Sequence, residues 1–110
     1  MAKRNNSFRI EMLLLCILKE KDYYGYELAK AVKEKSLGSI DLKEGTMYPI
    51  LYKLLDSGYI KSYEEMVNRK VRVYYHIESS GISYLYALIE EYRIMLAGIE
   101  NILKLGGEQF

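Results

Sequence analysis

A mainly α, α+β fold is what this sequence predicts, and three observations predict it. Apolar residues recur at helical spacing in three segments ahead of Gly58. The period then switches to strict alternation between Tyr59 and Ile77, and a long helical pattern follows Ser79-Ser80-Gly81. At 110 residues, half of them apolar and 28% charged, the chain can build one core with an extension but not two independent domains.

The first helix is expected over residues 8–19. It is apolar nearly all round from Met12 to Leu18, which demands burial on more than one side, against the core and against a partner. Cys16, the sole cysteine, lies in this run and reads as a buried small hydrophobe. No intrachain disulfide is possible, and a reducing, cytoplasmic setting fits. Seven apolar residues fall well short of the roughly 20 that span a bilayer. Glu11 and Lys19 flank them without a small-residue cleavage site, so neither a membrane segment nor a signal peptide is expected.

Lys21-Asp22 breaks the pattern. Helical spacing resumes over residues 23–35 with Leu28, Ala29 and Val32 inward, and Ser36-Leu37-Gly38-Ser39 reads as a turn. Ile40-Asp41-Leu42 has the length of a short edge strand only. A third helix must start near Gly45-Thr46, because Pro49 is tolerated no deeper than about the first turn, and Gly58 stops it. Met47, Ile50, Leu51, Leu54 and Leu55 form its buried face. Residues 59–63 make one strand, and Val71, Val73, Tyr75 and Ile77 alternate with Arg72, Tyr74 and His76 in a second. Between them, residues 64–70 form a loop with a basic tip, Asn68-Arg69-Lys70. The last helix runs to about Leu105, capped by Ser79 or Ser80, and Glu108-Gln109-Phe110 is expected to fray beyond Gly106-Gly107.

Helix, helix, short strand, helix and hairpin form a winged helix-turn-helix over residues 1–78, followed by a long C-terminal dimerisation helix over residues 79–110. This layout puts the third helix in a DNA major groove and the hairpin, the wing, on the phosphate backbone. Charge agrees modestly: up to residue 76 there are 14 Lys and Arg against 10 Asp and Glu, and beyond it 2 against 5. Burying the apolar face of the third helix leaves Thr46, Tyr48, Tyr52, Lys53 and Asp56 outward. Hydroxyls and an ammonium there reach phosphates or base edges. Tyr26 on the second helix is counted with Thr46, Tyr48 and Lys53 as a DNA-contact candidate. The competing reading has Tyr48 and Tyr52 capping the core with their rings and Lys53 idle on the surface. In the wing, Arg69, Lys70 and Arg72 put three positive charges in four residues, enough to neutralise a few phosphates.

On the last helix Ile82, Leu85, Ile89, Tyr92, Leu96, Ile99 and Leu103 follow an unbroken 3-4 spacing, and Leu88, Met95 and Ile102 add a third apolar line. So wide a stripe exceeds what a small wing domain covers, so a homodimer is expected along it. Tyr92 is the one aromatic on that line, at its midpoint. With Leu14, Ile17, Leu88, Met95 and Leu96 it is expected to line an apolar gap suited to a flat aromatic or cationic amphiphilic effector, the alternative being a seam that Tyr92 fills completely.

An enzyme is not expected. There is one His, one Cys, no carboxylate pair spaced for acid–base work and no glycine-rich phosphate loop. No Cys, His and carboxylate cluster has metal-ligand spacing, so neither metal nor cofactor is expected, and His76 reads as a surface or backbone-contacting residue. The rival from another class is a winged-helix module that binds a partner protein in place of DNA.

The stretches Tyr24-Gly25-Tyr26-Glu27-Leu28, Glu44-Gly45-Thr46-Met47-Tyr48-Pro49-Ile50-Leu51, Leu54-Leu55-Asp56-Ser57-Gly58-Tyr59-Ile60 and Arg69-Lys70-Val71-Arg72-Val73-Tyr74-Tyr75 resemble the PadR family of bacterial repressors, and the likeness covers nearly the whole chain. The resemblance implies a homodimeric winged helix-turn-helix that represses genes and is released by a small molecule. It places Thr46, Tyr48, Lys53 and the wing cations at DNA-contacting positions, and it implies one long C-terminal helix in place of a further domain. Two residues depart from the family pattern: Tyr24 stands where a His is common, and Glu78 where a Thr usually precedes the last helix.

Overall fold

The structure, a computed structural model, describes residues 7–107, so the expected fraying at 108–110 lies outside the described residues. Among the described residues there are four helices and one small three-stranded sheet. The helices are α1 (Ser7–Glu20), α2 (Gly25–Lys35), α3 (Glu44–Asp56) and α4 (Ser79–Leu105); the strands are β1 (Tyr23–Tyr24), β2 (Ile60–Val67) and β3 (Lys70–Ile77). β3 is central and antiparallel to both neighbours. The core collects Leu14, Leu15 and Leu18 of α1, Leu28 and Val32 of α2, Met47, Leu51 and Leu54 of α3, Tyr75 and Ile77 of β3, and Leu85 and Leu88 of α4. Burying so many aliphatic side chains, at about 1.5–3 kcal/mol each, is what holds α1 against every other helix.

The third strand is not where the periodicity put it. Residues 40–42 form no ladder, and the Ile40 N–H is taken locally, by Ser36 Oγ at 3.0 Å. Tyr23 and Tyr24, expected in the second helix, pair instead with Tyr75 and Tyr74 of β3. The hairpin is also tighter than a seven-residue loop. Only Asn68 and Arg69 turn, with φ of 50° and 65°, and both strands run up to them. Positive φ at both central residues is the geometry that matches strand twist in a two-residue turn. Arginine adopts it at a cost that glycine avoids, which is why the sequence did not advertise it.

Pro49 is the sixth residue of α3, a turn and a half in. Its ring removes the N–H that would have bonded the Gly45 carbonyl, and Gly45 is exposed, so water can serve that oxygen. α4 starts without a serine cap: Glu78 is the N-cap and its side chain does not cap the helix. Ser80 Oγ instead donates to the Gly58 carbonyl at 2.8 Å, and the Glu78 N–H donates to the Tyr59 carbonyl at 2.9 Å. Both bonds lash the start of α4 to the turn that closes α3. Gly81 makes this approach possible, since a Cβ there would stand 2.1 Å from the Tyr59 carbonyl oxygen.

Two expectations about the helices need correcting. Cys16 is exposed and not buried, because α1 turns Leu14, Leu15 and Leu18 inward and leaves Leu13, Cys16 and Ile17 on its outer side. The apolar line of α4 is not exposed as one stripe in the single chain. Leu85 is 1% exposed in the single chain, and Ile82 and Ile89 pack against the core, so these three spend their side chains within the chain. Only beyond Tyr92 does the stripe come free, with Leu96, Ile99, Ile102 and Leu103 exposed.

Candidate nucleic-acid interface

Gly45, Thr46, Pro49, Tyr52, Lys53 and Asp56 are the exposed residues of α3 after Glu44, at spacings that stack them into one stripe along the helix. Thr46 therefore stands where the sequence placed it. Tyr48 does not: it is half-buried, and its hydroxyl lies against α2, where a Cβ on Gly25 would come within 2.1 Å of it. Burial pushes its phenol above the ordinary tyrosine range. Tyr48 thus sits behind the stripe as a spacer between the two helices, with its ring 6.0 Å from that of Tyr52, which remains on the surface.

Tyr26, in the first turn of α2, is 63% exposed and shares one hollow with Lys30, Lys33, Lys43 and Glu44. The folded corner therefore sets Tyr26 beside the N-terminus of α3. Lys43, the N-cap residue, was missed by the sequence reading. It is held by Asp41 at 2.9 Å and stays largely exposed. The signal for it was the lysine immediately preceding the Glu-Gly-Thr that opens α3. Lys53 is on the stripe but not idle: its ammonium lies 3.3 Å from the carboxylate of Glu11, which is buried.

In the wing, Arg69 and Lys70 are exposed at the turn, whereas Arg72 is half-buried with its guanidinium 4.4 Å from the centre of the Tyr24 ring. Stacking of this kind fixes an arginine without removing its donors. Tyr24 meets Tyr74 edge-on at 5.6 Å, and Tyr74 stacks on Tyr63 at 5.6 Å. Asp22 closes the ladder. It accepts a hydrogen bond from the Tyr63 hydroxyl at 2.7 Å and lies 2.7 Å from Nδ1 of His76. That bond pushes the Tyr63 phenol up to about 12. Burial raises the Asp22 carboxyl, but the hydrogen bonds from Tyr63 and His76 outweigh it and leave the group below its ordinary value. Tyr24, where a His was the commoner residue, is thereby the platform for Arg72. The opposite face of the hairpin carries exposed Met66, Val71 and Val73, and Glu65 lies opposite Arg72 in the register, which tempers the wing's charge.

The expected effector lining is not brought together. Leu14 and Leu88 are core residues, Ile17 lines a hollow of about 280 Å³ between α1 and α2, and Met95 and Leu96 stand exposed. Tyr92 lines a different hollow of about 380 Å³ with Ile10, Met12, Leu13, Ile40 and Arg9. Among the described residues no cluster of His, Cys, Asp and Glu has metal-binding geometry, and no helix is long and apolar enough to cross a membrane.

The model of the transcriptional regulator PadR-like family matches residues 14–87, which span α1 from its first core leucine to the buried start of α4. A transcriptional regulator from Clostridium thermocellum is 33% identical, with a TM-score of 0.82 over 87% of this chain and 94% of that one. A PadR family transcription regulator from Clostridium difficile is 35% identical, with a TM-score of 0.74 over 86% and 97%. An uncharacterised protein of Lysinibacillus sphaericus is 31% identical over 76% of this chain and 77% of its own.

Proposed function

Because the chain belongs to the PadR-like family of transcriptional regulators, we propose that it is a homodimeric repressor that reads an operator with α3 and grips the flanking backbone with its wing. The observation that carries this reading is that Tyr26, the α3 stripe from Thr46 to Asp56 and the basic turn at Arg69 and Lys70 are all exposed to solvent. Thr46 faces base edges in this reading, Tyr26 and Lys53 approach phosphates, and Arg69, Lys70 and Arg72 follow the backbone. Tyr48 acts by setting the angle between α2 and α3. Arg69→Ala should weaken specific and non-specific duplexes alike, several-fold, and reduce the slope of log affinity against log salt by about one. Fluorescence anisotropy across a salt series checks this. An unchanged slope removes Arg69 from the contact, and salt-independent association with a protein partner in place of DNA would favour the interaction-module reading.

Homodimerisation uses the exposed half of α4, from Leu96 through Ile99 to Leu103, with the outer apolar face of α1 helping to cover it. The two α4 helices then set the distance between the two α3 helices, which successive major grooves require to be roughly 34 Å. A small aromatic or amphiphilic effector held beside Tyr92, in the hollow it shares with Met12 and Leu13, would favour a dimer of different spacing and release the operator. Tyr92→Leu should abolish the response of operator binding to planar aromatic compounds and leave binding without them intact. Equal response in both proteins takes Tyr92 out of the site.

A further inference from the structure

Glu11 was read from the sequence only as the charged flank of an apolar run, yet its side chain is 2% exposed. Both carboxylate oxygens are engaged. Oε1 accepts a hydrogen bond from the Tyr84 hydroxyl of α4, and Oε2 faces the Lys53 ammonium of α3 at 3.3 Å, while Lys53 itself remains 65% exposed. A buried carboxylate pays a desolvation penalty of several kcal/mol, and an apolar side chain of the same size would fill such a place at less cost. What the carboxylate adds is direction. It draws an otherwise freely rotating ammonium to one side of α3 by ion pairing, while most of the Lys53 side chain stays exposed to solvent. The Tyr84 ring is itself fixed, stacked on Tyr59 at 4.2 Å with the planes 5° apart, so the whole line from α4 to α3 rests on rigid parts.

We infer that Glu11 is a positioning residue for DNA recognition: it aims Lys53 at the DNA and ties the reading helix to the helix proposed to set the dimer's spacing. This rests on the reading of α3 as the DNA-facing helix. Lys53 is thus preorganised for a phosphate, and the entropy of ordering a long lysine side chain is spent on folding and not on binding.

The test uses the full-length protein and the duplex that the parent enriches from a random-sequence pool, with Glu11→Gln, Lys53→Met, Tyr84→Phe and Arg69→Ala variants. Glu11→Gln should keep a cooperative melt and lose about tenfold in affinity, and Lys53→Met should lose a similar factor. The double variant should be no weaker than the worse single one, because the two residues act as one unit, while Glu11→Gln and Arg69→Ala should multiply. Parent-like affinity for Glu11→Gln, or multiplying losses for Glu11→Gln with Lys53→Met, would overturn the inference. If Glu11→Gln does not fold, Tyr84→Phe decides: it should cost several-fold with Lys53 present and nothing in the Lys53→Met background, and parent-like binding overturns the inference. If the parent enriches no duplex, the DNA reading itself falls and takes this inference with it. A parent that binds while Glu11→Gln matches it sinks the inference alone.

Discussion

In the proposed dimer, Leu96→Arg should separate the two chains into folded monomers. Leu96 is exposed in the single chain, and α4 is anchored to the core two turns earlier, through Leu85 and Leu88. The substitution therefore leaves the winged domain its packing, and its cost is felt only where two α4 helices meet. Each chain would bring one unpaired guanidinium into an apolar seam, at about 3 kcal/mol or more. By symmetry the dimer takes two such charges, which is a rise of roughly 10⁴ in the dissociation constant. Sedimentation equilibrium at micromolar concentration should report the monomer, circular dichroism an intact fold, and operator affinity a fall of more than about a hundredfold as one half-site is left to bind alone. A tight, well-folded dimer of Leu96→Arg would place the interface elsewhere.

Gly81→Ala should be the most damaging single-methyl change in the chain. The added Cβ would stand 2.1 Å from the Tyr59 carbonyl oxygen and 2.9 Å from Cγ1 of Ile77. The carbonyl cannot retreat, since it accepts the Glu78 N–H and follows Gly58 at a φ of 76°. The remaining way to relieve the clash is to lift α4 off the turn, which breaks the Ser80 bond to Gly58 and draws Leu85 and Leu88 from the core. We expect a loss of about 3 kcal/mol, or roughly 15 °C in Tm at this size. Gly98→Ala is the internal control. It is the same substitution in the same helix, where a Cβ meets nothing within 4 Å among the described residues, and it should raise stability by about 0.5–1 kcal/mol through helix propensity. Thermal melts of the two variants decide the matter, and a Gly81→Ala protein melting with the parent would refute the close approach.

The fold class was legible because it depends on local periodicity. Leucines at three- and four-residue spacing, an alternating hairpin and the stop at Gly58 each report their own element without reference to the rest. The positions of Thr46, Arg69 and Lys70 followed for the same reason: polar residues left over once an apolar face is assigned must point outward. Tyr23-Tyr24 misled, because two residues carry no period, and strand pairing there comes from an edge offered by β3 about fifty residues away. The turn at Asn68-Arg69 was hidden because its second residue is not the glycine that such a turn favours.

What the sequence determined by itself was the four helices, the two strands of the hairpin, the outward stripe of α3 and the basic wing tip, since each is the consequence of side chains a few residues apart. Tertiary structure alone decided the fate of residues whose environment is made by distant parts. It made Glu11 a buried strut between Lys53 and Tyr84, turned Tyr48 inward over Gly25, and assigned the first turns of α4 to the core and its remainder to the surface. The apolar stripe of α4 reads the same from end to end. How much of it is free depends on where α1 stops covering it, and that is a property of packing, which no local pattern encodes.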